Sequence, residues 1–300
     1  IDMAIKLVTL DNNMDLGIKI EDLKRKNMNS DHLKIFFNDL EIHSLANQLD
    51  AVNNNKANSK TTKLEKNYKT ILSRKDLKNL IVDISKCKLL SVDIETTQLN
   101  PIEADIVGFS LSLKPNEGYY IPIIFPEKGS VDKYDLDLVS VLNLLKNTLE
   151  DKKLKKCGQN LKYDSLILKR HGIELDGIEF DSMVAEHILH PEKNSYKLDN
   201  LSIEYFGYEM QPIEDLIGKG KGQISMSGVP LKDISFYAAE DADIALQLSQ
   251  ELRPLISKNK LEIPYYDIEL PLIPVLVSME NAGVYVDKKI LSELSIEVDK

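Results

Sequence analysis

The chain has 300 residues, 43% of them hydrophobic and 29% charged, with a net charge of −10. That length suits one sizeable domain with appendages or two small ones, in a composition ordinary for a globular protein. The acidic balance excludes a broadly basic protein that coats nucleic acid, no apolar run reaches the roughly 18 residues of a membrane span, and no signal peptide is visible.

Residues 1–50 read as the tail of a preceding unit. KLVTL is a short strand-like run, and Leu33, Phe36, Phe37 and Leu40 repeat at helical spacing within 18–49. The stretch 51–69, AVNNNKANSKTTKLEKNYK, is rich in Asn and Lys with few apolar residues, and reads as a solvated linker. From residue 71 the pattern becomes α/β. It predicts a helix over 76–81, strands over 88–95, 105–113 and 118–124 as a meander, and a helix over 135–149. A short strand over 154–158 and helices over 161–170, 182–189, 198–206 and 231–252 follow. GKGKG at 218–222 lacks the GxxxxGK[ST] spacing of a phosphate loop and reads as a surface loop, a place beside a nucleic-acid backbone being the alternative. An apolar helix over 265–280 ends at Asn281-Ala-Gly283, a glycine stop before the extended VYVD. The chain opens on Ile1 and closes on SELSIEVDK, a helix cut partway, so it is expected to be a piece of a longer protein. Cys87 and Cys157 form no metal spacing or disulfide framework and read as buried apolar residues in a reducing, intracellular compartment.

Three acidic clusters recur in a fixed order. In LLSVDIETTQL, strand alternation puts Asp93 and Glu95 on one face, their backbones about 7 Å apart. Two such carboxylates beside a buried sheet need a positive partner, or else lie on a solvent-facing edge. In CGQNLKYDSLIL, Asn160 can cap the helix that Asp164 enters, near the buried stripe of Leu161 and Leu168. An acid in a helix's first turn is also favourable for its own sake. In ISFYAAEDADIALQL, Tyr237 and Asp241 are four apart on one helix face, while Glu240 and Asp243 point elsewhere and read as solvated.

Each cluster alone has an ordinary structural explanation; DxE, NxxxD and YxxxD in sequence do not share one. Four carboxylates, Asp93, Glu95, Asp164 and Asp241, fit a pair of hard divalent cations, because Mg²⁺ takes only one or two protein carboxylates. Such a pair activates a water and stabilises the leaving 3′ oxygen of a phosphodiester. Tyr237 would orient that water, since an unperturbed phenol titrates near pH 10.

SVDIETTQL, GQNLKYDSLILKRHGIEL, KLDNLS, LIGKGKGQIS and YAAEDADIALQL resemble the 3′–5′ exonuclease domain of bacterial family A DNA polymerases, the DNA polymerase I family. The resemblance runs from about Lys78 to Leu255. It implies a ribonuclease-H-like α/β fold, a mixed sheet flanked by helices, in the tyrosine-bearing subgroup of the DEDD exonucleases. Carried over, Asp93, Glu95, Asp164 and Asp241 are metal ligands for two Mg²⁺ ions, with Mn²⁺ the substitute, and Tyr237 positions the water. Thr96, Leu99, Gln159 and Asn160 would contact the terminal nucleotide. No arginine lies between Asp181 and Asp241, so a phosphate clamp there would fall to Lys193, Lys197, Lys219 or Lys221.

The implied division is 1–50 as the end of a 5′ nuclease domain, 51–75 as linker, 76–258 as exonuclease and 259–300 as the start of a polymerase domain. That domain's thumb, palm and fingers lie outside these residues, so the implied activity is proofreading rather than polymerisation. The implied partner is DNA, as a single-stranded 3′ end or frayed primer terminus, with the polymerase domain in cis. The implied setting is a monomer in a bacterial cytoplasm, at the nucleoid through its DNA. The alternatives are a ribonuclease D-type exoribonuclease, with the same four acids and tyrosine, and a non-catalytic module that holds a DNA end.

Overall fold

The computed structural model describes residues 66–125 and 135–299, with residues 3, 9, 32, 33, 36 and 37 besides. The chain divides into two units, Ile1–Lys63 and Leu64–Lys300. Most of the KLVTL run, most of the 18–49 stretch and the Asn- and Lys-rich tract as far as residue 65 lie outside the described residues.

In the second unit six strands form one mixed sheet: β1 (Asn67–Thr70), β2 (Leu89–Thr96), β3 (Ile106–Ser112), β4 (Glu117–Pro122), β5 (Lys155–Gly158) and β6 (Ile178–Asp181). Their order is β1-β4-β3-β2-β5-β6. β2, β3 and β4 are the expected antiparallel meander; β1 runs parallel to β4, and β5 and β6 extend the sheet parallel to β2.

The two faces of β2 are chemically different. Leu90, Val92 and Ile94 pack with Phe109 and Leu111 under α1 (Arg74–Ile84) and α2 (Leu138–Leu149), which contribute Leu77, Leu80, Val141 and Leu145. Both helices start cleanly: Ser73 accepts from the Asp76 N–H, and Asp137 forms a capping box with Ser140. The opposite face carries Ser91, Asp93 and Glu95, and across it lies α7 (Leu231–Lys258). α7 settles very close to β4, because a Cβ on Gly118 would meet the Ala239 carbonyl oxygen at 2.5 Å. A second core joins α7 to α3 (Leu161–Arg170), α4 (Ser182–Leu189) and α5 (Leu198–Phe206), through Leu166, Ala185, Leu201, Ile244 and Leu248. The short α6 (Ile213–Ile217) precedes two 3₁₀ turns, Gly220–Gly222 and Met226–Gly228.

Several expectations change. Residues 67–70, read as the end of the linker, are β1: Tyr68 and Lys66 are tied to Asp243 by their polar ends, a long-range attraction that composition does not reveal. β6 is a further strand that the sequence pattern does not announce. α7 continues to Lys258, past Pro254, because Ile256 extends its buried stripe. The predicted 265–280 helix is a π-helical stretch, Ile263–Glu269, running into α8 (Leu270–Ala282). Pro271 supplies no N–H to the preceding turn, which relaxes its hydrogen bonding. Gly283 ends α8 at φ 70°, and α9 (Lys288–Val298) follows.

Candidate active site

Asp93 and Glu95 leave the polar face of β2 two residues apart, and Asp241 descends onto them from α7. One carboxylate oxygen from each lies within 4.8 Å of those from the other two. Asp164, buried on the first turn of α3, adjoins this group, and its strongest charged neighbour is Asp93. Tyr237 precedes Asp241 by one turn of α7 and feels the charges of Asp241, Glu95 and Asp93. The structure therefore brings the five residues from the three clusters to one place.

The electrostatics of that place are unfavourable without a cation. Burial pushes the Asp93 carboxyl up to about 6, against hydrogen bonds from Ser110 and the Ile94 N–H that favour its charged form. Burial first, and then the Asp93 charge, push Glu95 and Asp164 well above the ordinary carboxylate range. Asp241 is raised by burial, then by Asp93 and Glu95. Like charges gathered in a half-buried site are what a divalent cation relieves, and an all-oxygen donor set suits a hard one. The residues fit divalent metal ions on that ground. Burial and the same acids also raise the Tyr237 phenol far above its usual value, so it keeps its proton.

The expected substrate contacts are less uniform. Leu99 is 91% exposed, an apolar side chain standing bare in the segment that follows β2. Thr96 Oγ1 lies 2.7 Å from Tyr163 Oη and donates to the Gln98 carbonyl at 3.0 Å. Tyr163 also donates to that carbonyl at 2.8 Å, which fixes the turn leading to Leu99. Gln159 is already engaged: its Nε2 donates to the Tyr196 carbonyl at 2.7 Å, and its Oε1 accepts from Ser182. Asn160 does not cap α3. It sits in the left-handed region at φ 61° with no side-chain cap bond, and the buried Asp181 accepts from the Asn160 and Leu161 N–H groups instead. Asn tolerates that region better than most residues, which suits it to this turn. Of the lysines considered for a clamp, Lys193 is taken by Glu186 and Glu204, while Lys219 is exposed.

Two acids were misread. Glu240 and Asp243, expected in solvent, are buried at 1% and 0% exposure. Glu240 accepts from Tyr208 Oη and the Gln211 N–H, and Asp243 from Lys66, Tyr68, Gln247 and the Asn116 N–H. α7 is covered on more than the side facing the sheet, so its polar stripe is internal. Ser110, which donates to Asp93 Oδ2 at 2.9 Å, was also missed; only the β2–β3 register brings the two together.

Comparison with known proteins agrees with this geometry. The family model of the 3′–5′ exonuclease of DNA polymerase A matches residues 68–257. The DNA polymerase I of Rhizobium leguminosarum is 35% identical over 246 residues, covering 77% of this chain and 24% of that protein. That of Pseudomonas aeruginosa is 30% identical over 304 residues, 99% of this chain and 33% of its own length. The chain thus spans about a quarter to a third of these relatives. Among solved structures, the POL domain of Pol1 from M. smegmatis with DNA primer-template and dNTP aligns at TM-score 0.60 and 20% identity, over 76% of this chain and 34% of that one. Brucella melitensis NrnC with bound Mg²⁺ aligns at 0.53 and 16% identity, over 72% and 94%. Escherichia coli RNase D, an exoribonuclease involved in structured RNA processing, aligns at 0.54 and 15% identity, over 73% and 52%. At such identities the likeness to these structures is one of fold.

Proposed function

The chain belongs to the 3′–5′ exonuclease family of DNA polymerase A, and from that premise we propose that it removes mononucleotides from the 3′ end of single-stranded or frayed DNA. The observation that carries this reading is the meeting of Asp93, Glu95 and Asp241 within 4.8 Å, with Asp164 and Tyr237 beside them. Asp93, Glu95, Asp164 and Asp241 would hold two divalent cations, Mg²⁺ in the first place and Mn²⁺ in its stead. Two ions so held supply the Lewis acidity for in-line displacement at the terminal phosphodiester.

The chain's own groups do the rest. Tyr237 retains its proton and so acts as a hydrogen-bond donor that orients the attacking water, not as a base. Ser110 holds Asp93 from the sheet side. Leu99 offers a sequence-tolerant surface for the terminal base, since any base has a face to stack. Thr96 and Asn160 complete the nucleotide site, while Gln159, bonded to Tyr196 and Ser182, shapes its wall. Frayed ends are preferred because unpairing costs least at a mismatch, so errors are removed without reading sequence. Residues 1–50, 51–75 and 259–300 are assigned, in this reading, to the end of a 5′ nuclease, a linker and the opening of a polymerase domain.

The test is a time course with matched single-stranded DNA and RNA, 3′-free or 3′-blocked, with Mg²⁺, for the wild type and Asp93→Ala/Glu95→Ala. Stepwise release of nucleoside monophosphates from free DNA 3′ ends by the wild type alone is the expected result. Faster attack on RNA would move the assignment to the ribonuclease D type, a fold this chain shares. Binding without cutting by both proteins would make it an end-holding module.

A further inference from the structure

Cross-strand register places Asp93, Ser110 and Tyr120 in one row across β2, β3 and β4. The adjoining row is Glu95, Gly108 and Pro122. Residues paired in this way share a face of the sheet. In the first row Ser110 spends its hydroxyl on Asp93. In the second, Gly108 has no side chain, and the Tyr120 ring leans across the row into the space left free. A Cβ on Gly108 would lie 2.4 Å from Tyr120 Oη and 2.5 Å from the ring carbons Cε2 and Cζ.

The phenol is thereby carried from the row of Asp93 into the row of Glu95. Tyr120 is fully buried, and its Oη has no hydrogen-bond partner among the described residues. Glu95 is the charged neighbour it feels most, ahead of Asp93. Glu95, for its part, is governed by burial and by the Asp93 charge, with no donor among the influences on it. An unpaired donor and the Glu95 carboxylate thus lie on one face of the sheet, in adjoining rows. Leaving a buried hydroxyl unpaired is costly, so one kept here calls for a partner in the working state.

We propose that Tyr120 is a positioning residue for the cation site, its hydroxyl donating to the Glu95 carboxylate when divalent ions are held, with Gly108 the small residue that admits it. This rests on the metal-dependent reading given above. Carboxylate torsions are broad, so a ligand carboxylate without an outer hydrogen bond is free to turn. Such outer partners commonly contribute 10- to 100-fold in metal affinity or activity.

Tyr120→Phe removes the hydroxyl and keeps the ring over Gly108. Mn²⁺ binding, followed by electron paramagnetic resonance on the whole chain without DNA, is expected to weaken about tenfold. The metal-free melting temperature should stay level or rise, because an unpaired buried hydroxyl is gone. Cleavage should fall at limiting Mn²⁺ and recover toward wild type as the ion is raised. Unchanged Mn²⁺ affinity in a folded Tyr120→Phe protein overturns the proposal. Should that variant fail to fold, Gly108→Ala replaces it: the tyrosine is intact but displaced, and unchanged affinity there is equally fatal. A wild type that binds no Mn²⁺ refutes the metal-dependent reading itself, which separates the two failures.

Discussion

Asp243 offers the sharpest test of how this domain is held together, because sequence periodicity assigns it to solvent and the structure buries it. Its Oδ2 accepts from Lys66 Nζ at 2.8 Å and Tyr68 Oη at 2.7 Å. Its Oδ1 accepts from the Asn116 N–H at 2.7 Å and Gln247 Nε2 at 2.8 Å. Asp243→Ala strands all four donors, one of them an ammonium whose side chain is only 15% exposed. Removing one partner of a buried, hydrogen-bonded pair costs about 3–5 kcal/mol. With a urea m-value near 3 kcal/mol/M, the unfolding midpoint should fall by about 1 to 1.7 M. Tyr68→Phe isolates a single hydrogen bond to a charged acceptor and should cost about 1.5–3 kcal/mol. Urea melts followed by circular dichroism measure both. If Asp243→Ala changes stability by less than about 0.5 kcal/mol, as surface substitutions do, the burial of this acid and its tie to β1 are wrong.

Tyr237→Phe should lower kcat about 100-fold at saturating DNA and leave Mn²⁺ affinity unchanged; an equal loss of metal binding would make it a ligand-shell residue. The folded Asp93 carboxyl titrates near 6 against an ordinary 3.8, so the folded state binds more protons than the unfolded one between those values. Metal-free stability should therefore fall as pH rises from about 4 through 6, and Mg²⁺ should reverse the loss above that range; melting temperatures at pH 5 and 7.5, with EDTA or Mg²⁺, decide it. Gly118→Ala drives a methyl to 2.5 Å from the Ala239 carbonyl oxygen, where neither backbone can easily give. It should cost about 1–3 kcal/mol in a thermal melt, and a neutral result would mean α7 lies farther from β4 than described.

Much of the fold was legible because it follows from short-range rules. The meander, the glycine stop after α8 and the bounds of α3, α4 and α5 come from alternation, helical period and punctuation within a dozen residues. β1 was not legible for a reason of the same kind. NYKT has no apolar alternation; its place at the sheet edge depends on Asp243, 175 residues away from Tyr68. The site divides along this line too. Asp93 with Glu95, and Tyr237 with Asp241, are pairs at strand and helix spacing, so the residue pattern itself puts each pair on one face. The cap assigned to Asn160 failed because the N–H groups at the start of α3 had a better acceptor in Asp181, which no local reading of that helix could supply.

Glu240 and Asp243 show where periodicity stops being informative. Helical spacing states which residues share a face, and correctly sets these two apart from Ile234, Ala238 and Ala245. It does not state what lies against each face. α7 has the sheet on one side, with its edge strand β1 and the turn at Asn116 reaching Asp243, and the segment around Tyr208–Gln211 reaching Glu240, so its second polar face is also enclosed. Enclosure turns a charge from a solubility device into an anchor, since the acid is retained only where donors converge on it. Those contacts fall on the same helix that delivers Tyr237 and Asp241 to β2. The charges that the sequence assigns to the surface thus anchor the helix that brings Asp241 to Asp93 and Glu95.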